Sequence, residues 1–339
     1  MAHVYITSSD VSLGIAQGRL SVRKSAGGTP HEMPLSNVDS INLYGNPHVS
    51  TQLVKECLKE GIPVGYYSED GHYVGRIAPF GSVDPFRQKQ QILLIDDEEF
   101  KLGISQAIIA AKIENSRNLL ESLSSVHEFA DSDMNGIRHS EAFLSTADTV
   151  DRVLGFEGNA AKNYFSCLSR LVTDERFKFS GRSANPPKDA ANSMLSYGYS
   201  LLYRSIVGAI DRHGLHPYFG FMHKLHRGHA ALASDLIEEL RAPFVDRIVL
   251  ETIHSGAVSP DDFYQGQDGG IYMDRTAMKG VTNRICEGMD EKRPYFSNYG
   301  DSHSYAFQTM LDRKIESLVH AIEAHDFEMY MPVHWSPER

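Results

Sequence analysis

The stretch Ile62-Pro63-Val64-Gly65-Tyr66-Tyr67-Ser68-Glu69-Asp70-Gly71-His72-Tyr73-Val74-Gly75-Arg76-Ile77 sets the character of the first part of the chain. Two short apolar runs flank Asp70-Gly71. That dipeptide suits the left-handed backbone of a two-residue hairpin turn. The same rhythm recurs upstream, in Val4 to Ile6, Val11 to Ile15, Leu20 to Val22 and Val38 to Tyr44. Gly27-Gly28-Thr29-Pro30 and Gly45-Asn46-Pro47 punctuate these runs. One helix is predicted among the strands. Ser50-Thr51 caps it, Leu53, Val54, Cys57 and Leu58 follow at helical spacing, and Gly61 ends it.

Pro79 to Pro85 reads as a Pro/Gly-bearing connector, after which the period changes. Gln106 to Leu123 holds helix formers and no proline. Further helical segments are expected at about 140–154, 158–172, 188–211, 229–240 and 305–325. Gly256 to Tyr272 reads as loop and short strand, and Met331 to Pro337 as a non-helical tail. The predicted class is α+β, a small N-terminal β-rich domain followed by a larger all-α domain carrying the site. The expected boundaries are 1–87 for the β domain, 88–104 for a linker, 105–330 for the helical domain and 331–339 for the tail.

A length of 339 residues fits about two domains. Hydrophobic residues at 41% and charged residues at 23% exclude a disordered chain. No run approaches about 18 apolar residues, and the first ten residues lack a basic-then-apolar leader. Cys57, Cys167 and Cys286 form no Cys-x-x-Cys pair. A cytoplasmic protein with buried thiols is the expectation. The net charge of −11 argues against a nucleic-acid partner when taken as a whole-chain sum.

Three segments carry candidate chemistry. In the first, His223, His226 and His229 precede a predicted helix bearing Asp235, Glu238 and Glu239. Asp235 and Glu238, three apart, share one helix face and repel unless a cation lies between them. Gly228 can break the chain and let His223 fold back onto that face. One imidazole with carboxylate oxygens suits Mn²⁺ or Mg²⁺ better than structural zinc. The alternative, a solvated acidic face behind a turn histidine, stays open. Zinc on the three histidines is the weaker option, because steps of three drift around a helix. In the second segment, Glu157 lies between Gly155 and Gly158 in a helical pattern. Such glycines suit close approach of a backbone or ligand, or else break the helix. In the third, Asp189 after Pro186-Pro187 starts a helix interrupted by Tyr197-Gly198.

Together these segments resemble the CRISPR-associated endonuclease of spacer acquisition, the integrase subunit of the adaptation complex. Gly155-Phe156-Glu157-Gly158-Asn159-Ala160-Ala161 is similar to the family's first motif. Asn192 to Tyr199 resembles its Asn-x-Leu-Leu-Ser-Tyr-Gly-Tyr helix, with Met194 for a leucine. Gly220-Phe221-Met222-His223 and Ser234-Asp235-Leu236-Ile237-Glu238-Glu239 resemble the histidine and acidic motifs. Pro34 to Val38, Ser50-Thr51-Gln52 and Gly61 to Val64 extend the likeness over nearly the whole chain. Gly228-His229 departs from the family's glycine followed by a basic residue, which leaves a His229–DNA contact open.

The resemblance implies a metal-dependent DNA endonuclease and integrase using Mg²⁺ or Mn²⁺. Its implied ligands are Glu157, His223 and Glu238, with Asp235 as a further catalytic acid and Asn192 and Tyr197 supporting them. Its implied partners are double-stranded DNA, a second copy joined through the β domains, and a small CRISPR-associated protein. Strand transfer exchanges one phosphodiester for another, so no nucleotide triphosphate is needed, and the chain has no Gly-x-x-x-x-Gly-Lys-Ser/Thr loop. Residues 160–229 carry +6 while the remainder carries −17. Within that window Lys162, Arg182, Lys188, Arg204, Lys224 and Arg227 are the expected DNA contacts, with Arg170, Arg176, Lys178 and Arg212 as further candidates. Two other readings compete, a helical di-iron carboxylate protein and a non-catalytic DNA-binding scaffold. The first expects paired Glu-x-x-His motifs, and the metal segments hold no such pair.

Overall fold

The computed structural model describes residues 2–68, 73–77 and 84–336. Its chain divides into two compact units, Met1–Asp84 and Pro85–Arg339. The first unit contains β1 (Ala2–Ile6), β2 (Val11–Ala16), β3 (Arg19–Lys24), β4 (His31–Pro34), β5 (Val38–Tyr44), β6 (His48–Val49), α1 (Thr51–Lys59), β7 (Val64–Tyr67) and β8 (Tyr73–Ile77). They form two four-stranded sheets, ordered β1-β5-β7-β8 and β4-β3-β2-β6. Strands β7 and β8 pair antiparallel, as the opening stretch predicts. The Asp70-Gly71 turn and most of the Pro79–Pro85 connector lie outside the described residues. Ser50 caps α1 by accepting from the Leu53 amide, and Leu53 and Cys57 enter the core with Leu13, Ile41 and Leu43. Burial pushes the Cys57 thiol up to about 11, so it stays protonated and inert.

The second unit begins with α2 (Pro85–Leu94) and α3 (Glu98–Ser122). Residues 88–104, expected as a linker, are therefore almost wholly helical. Proline opens α2, where its missing N–H costs nothing. Asp97 caps α3 by accepting from the Phe100 amide at 2.9 Å. Buried residues lie all round α3, which makes it the central rod of this unit.

Then follow α4 (Asp131–Phe143), α5 (Val150–Leu171), α6 (Ala190–Arg212), α7 (Ala231–Ile237), α8 (Arg247–His254), a short hairpin of β9 (Phe263–Gln265) and β10 (Ile271–Met273), α9 (Arg275–Asp290) and α10 (Phe307–Ala324). Helix α5 is one element, where two were expected with a break near residue 157. Its buried stripe, Val153, Ala160, Tyr164, Cys167, Leu168 and Leu171, keeps helical register past both glycines. A Cβ at Gly155 or Gly158 would meet nothing within 4 Å, so no neighbouring backbone explains them. Helix α9 was not anticipated. Of the terminal segment, Met331 to Ser336 is non-helical as expected, yet it packs inward, with Val333 and Trp335 in the core, and residues 337–339 lie outside the described residues.

Candidate functional site

Glu157 on α5 and Glu238 just after α7 are brought together by a residue the sequence reading passed over. The Lys112 ammonium, on α3, donates to Glu157 Oε1 and, at 2.5 Å, to Glu238 Oε2. A signal was present: Lys112 is the lone charge in Ala107-Ile108-Ile109-Ala110-Ala111-Lys112-Ile113. A cation buried in an apolar helix needs an anionic partner. Glu238 gives its other oxygen to Arg241 at 3.0 Å. Burial alone would raise the Glu238 carboxyl. Lys112 and Arg241 outweigh that and hold it at about 2.

The local backbone at Glu238 departs from the α-helix expected over 229–240. Glu238–Leu240 form a 3-10 turn and Arg241–Asp246 a wider π turn before α8. Pro243 is the cause. An α-helix would need its N–H to serve the Glu239 carbonyl, and proline has none. Asn115 Nδ2 donates to that carbonyl instead, at 2.8 Å.

Asp235 is fully buried. Its Oδ2 accepts from the amides of Phe221 (2.6 Å) and Met222 (3.1 Å). Its Oδ1 accepts from the His223 amide (2.9 Å) and faces His223 Nδ1 at 2.7 Å. Both oxygens of Asp235, expected as a further catalytic acid, are engaged by the 221–223 backbone and by the imidazole, an arrangement that suits positioning of His223. A carboxylate accepts, so Nδ1 carries the proton and Nε2 is the ring's lone-pair nitrogen. Burial lowers the His223 pKa, but the Asp235 hydrogen bond and charge, with Glu238 behind, raise it overall. Gly220 is required here. A Cβ would lie 2.5 Å from Asp235 Oδ2 and 2.7 Å from the Ala231 backbone. Gly228, at φ +76°, makes the turn that returns the histidine loop to α7.

A cavity of about 220 Å³ opens beside the acids, lined among others by Lys112, Glu157, Tyr164, Arg182, Glu238 and Arg241. At its wall Asp246 accepts from Tyr164 (2.6 Å) and Tyr199 (2.5 Å). Burial lifts the Asp246 carboxyl to about 6 against these bonds and the nearby arginines. Arg241 and Arg182 stack on the Tyr199 ring at 4.6 and 5.3 Å. None of Arg241, Asp246 or Tyr164 was singled out from sequence.

The expected supporting residues divide. Asn192 Oδ1 accepts from Arg182 (3.0 Å) and the Ser183 amide (2.9 Å), and so shapes the cavity wall. The Tyr197 hydroxyl meets Thr282 at 2.8 Å. Of the expected DNA contacts, Lys162, Lys188, Lys224 and Arg227 are exposed and Arg182 is half-buried. Arg204 is 7% exposed and is withdrawn from the set.

The donor set suits a hard divalent ion: two carboxylates and an imidazole already fixed through its other nitrogen. Among the described residues no three His, Cys, Asp or Glu side chains close on a single point as they stand. The Lys112 ammonium occupies the space between the two glutamates.

A β-rich unit followed by a helical unit defines the class, an α+β protein whose candidate site, Glu157 and Glu238 about Lys112, lies in its second unit. The family profile of CRISPR associated protein Cas1 matches residues 4–287. The chain belongs to that family. It is 40% identical to the CRISPR-associated endonuclease Cas1 of Mycobacterium tuberculosis, over 96% of this chain and 95% of the relative. It is 30% identical to a Cas1 endonuclease of Thermus thermophilus, over 95% of each chain. Among solved structures, a Cas1 protein from Thermotoga maritima superposes with a TM-score of 0.74 at 22% identity, over the full length of both chains. A casposase bound to integration product gives 0.75 at 23% identity, covering 96% of this chain and 93% of the other. A Cas6-RT-Cas1–Cas2 complex gives 0.77 at 23% identity, covering 100% of this chain and 36% of the other. No helix among the described residues is long and apolar enough to cross a membrane.

Proposed function

We propose that this protein is a metal-dependent DNA endonuclease and integrase. In this reading it inserts short DNA fragments into a CRISPR array by 3′-hydroxyl attack on phosphodiesters. The observation that carries the reading is the pairing of Glu157 with Glu238 across one cation, beside His223. Family membership supports it. The di-iron alternative has no such support.

Glu157, His223 Nε2 and Glu238 would hold Mg²⁺ or Mn²⁺. The ion would neutralise phosphate charge and ease formation of the attacking and leaving oxygens. Asp235 keeps the His223 ring in one tautomer and one orientation. Arg241 keeps Glu238 ionised and aimed. Arg182 and Arg241, stacked on Tyr199, present positive charge along the cavity where a phosphodiester would lie. Lys162, Lys188, Lys224 and Arg227 would contact phosphates along the duplex, so base readout by this chain would be weak.

The proposed partners are double-stranded DNA, a second copy joined through the β-rich unit, and a small CRISPR-associated protein. The similar folds of the Cas6-RT-Cas1–Cas2 complex and of the casposase bound to integration product are consistent with such partners. The test combines the protein with its small partner, a duplex with 3′-hydroxyl ends, a repeat-bearing plasmid and Mn²⁺. Joined product is expected. Glu157→Ala, His223→Ala and Glu238→Ala should each abolish joining, a loss of at least about 10²-fold, and leave the oligomeric state intact. DNA binding without any joined product would favour the non-catalytic scaffold.

A further inference from the structure

Lys112 is the unusual group in this site. Its side chain is 15% exposed, and it touches both acids proposed as ligands. Three consecutive features hold it there. Buried side chains lie all round helix α3 and anchor it in the core. One turn on, Ser116 Oγ donates back to the Lys112 carbonyl at 2.8 Å and pins the backbone. Asn115 ties α3 to the Glu239 carbonyl, and so to the turn that carries Glu238.

We infer that the Lys112 ammonium is a tethered counter-ion that fills the cation place between Glu157 and Glu238, and that a divalent ion enters by displacing it. This inference rests on the proposed metal site and names what guards it. Two carboxylates balanced by an ammonium and by Arg241 are already compensated. A divalent ion added with Lys112 in place would crowd three cations onto two anions. The displaced ammonium has somewhere to go, because Lys112 also lines the cavity that Arg182 and Tyr199 share. There it would face the same phosphodiester. The apparent metal affinity is therefore reduced by the fraction of molecules in which Lys112 holds the acids. DNA phosphate, by attracting the freed ammonium, would favour metal entry.

Two measurements on the full chain test this. In the first, the wild-type protein is pulsed with an amine-reactive reagent, with Mn²⁺ or with a chelator, and lysine modification is read by mass spectrometry. Mn²⁺ should raise labelling of Lys112 several-fold relative to Lys101 on the same helix. Unchanged or reduced labelling overturns the proposal. In the second, Mn²⁺ binding is measured by calorimetry for wild type, Lys112→Met and Glu238→Gln. Lys112→Met should bind about tenfold more tightly, and Glu238→Gln should not bind. If Lys112→Met binds no more tightly while Glu238→Gln still abolishes binding, the metal site stands and the counter-ion role falls. If wild type and Lys112→Met both bind no Mn²⁺, the metal site and this inference fall together. The labelling arm decides the matter if Lys112→Met does not fold.

Discussion

Asp235 shows how much of this site depends on one atom pair. Four N–H groups converge on its two oxygens. In Asp235→Asn one oxygen becomes an NH₂ that faces donors. At least two buried N–H groups then lose their acceptor, a cost of about 2–4 kcal/mol. Urea unfolding of Asp235→Asn should show that loss, with His223-dependent strand joining falling as well. Wild-type stability in the variant would refute the positioning role. His223, Asp235 and Glu238 were all legible as a group from their spacing. Which acid positions and which faces the cation was not, because the partners of Asp235 are backbone amides, and these leave no mark in a sequence. Lys112 was missed for a related reason. Its partners lie 45 and 126 positions away.

At the scale of elements, capped helices were readable and irregular ones were not. Ser50 and Asp189 each accept from an amide three residues on, as their residue types lead one to expect, whereas Asp97 does the same inside the stretch expected as a linker. The turns after α7 depend on a side chain from another helix. Asn115 Nδ2 serves the Glu239 and Val333 carbonyls at 2.8 Å each, and its Oδ1 accepts from the Trp335 amide at 2.7 Å. Asn115→Leu keeps the branched shape and orphans all three groups. A loss of about 3 kcal/mol or more is expected in denaturant unfolding, together with weaker metal binding through a displaced Glu238. A loss below 1 kcal/mol would mean that the π turn is held by other contacts. The unbroken α5 teaches the converse. Two glycines weaken a helix by about 1 kcal/mol each, and six buried side chains on one stripe outweigh them.

At the scale of the molecule, the β-then-helical order was plain from hydrophobic period alone. The linker was not, because α2 and the start of α3 carry too many polar residues to read as helix. The charge sum was the least reliable guide. Arg170, Arg176, Lys178 and Arg212 pair with Asp133, Asp174, Glu175 and Asp312, so the basic window offers fewer spare cations than its count. The last of these pairs gives a pH prediction. Burial would raise the Asp312 carboxyl, but His213 and Arg212 overcome it and lower it from 3.8 to about 2. A depressed carboxyl stabilises the fold fully above its unfolded value. That contribution fades as pH falls from about 4 towards 2. With partial exposure discounted, Asp312→Asn should cost about 1–2 kcal/mol at pH 7 and almost nothing near pH 2. Urea midpoints at the two pH values check it. An equal loss at both would assign the cost to packing.

The buried segment Tyr330–Trp335 also imposes an order in time. Glu239 is closed in by the Lys314 ammonium at 2.5 Å, the Tyr330 hydroxyl and the Val333 amide at 2.7 Å. Asn115 waits for residues more than two hundred positions later. On the ribosome, the β-rich unit can complete its sheets while the rest is still being made. The acidic centre cannot, since Val333, whose amide serves Glu239, emerges 94 positions after it. A nascent chain that already bears Glu157, His223 and Glu238 therefore has the residues of the centre without its geometry until Tyr330 to Trp335 have emerged as well.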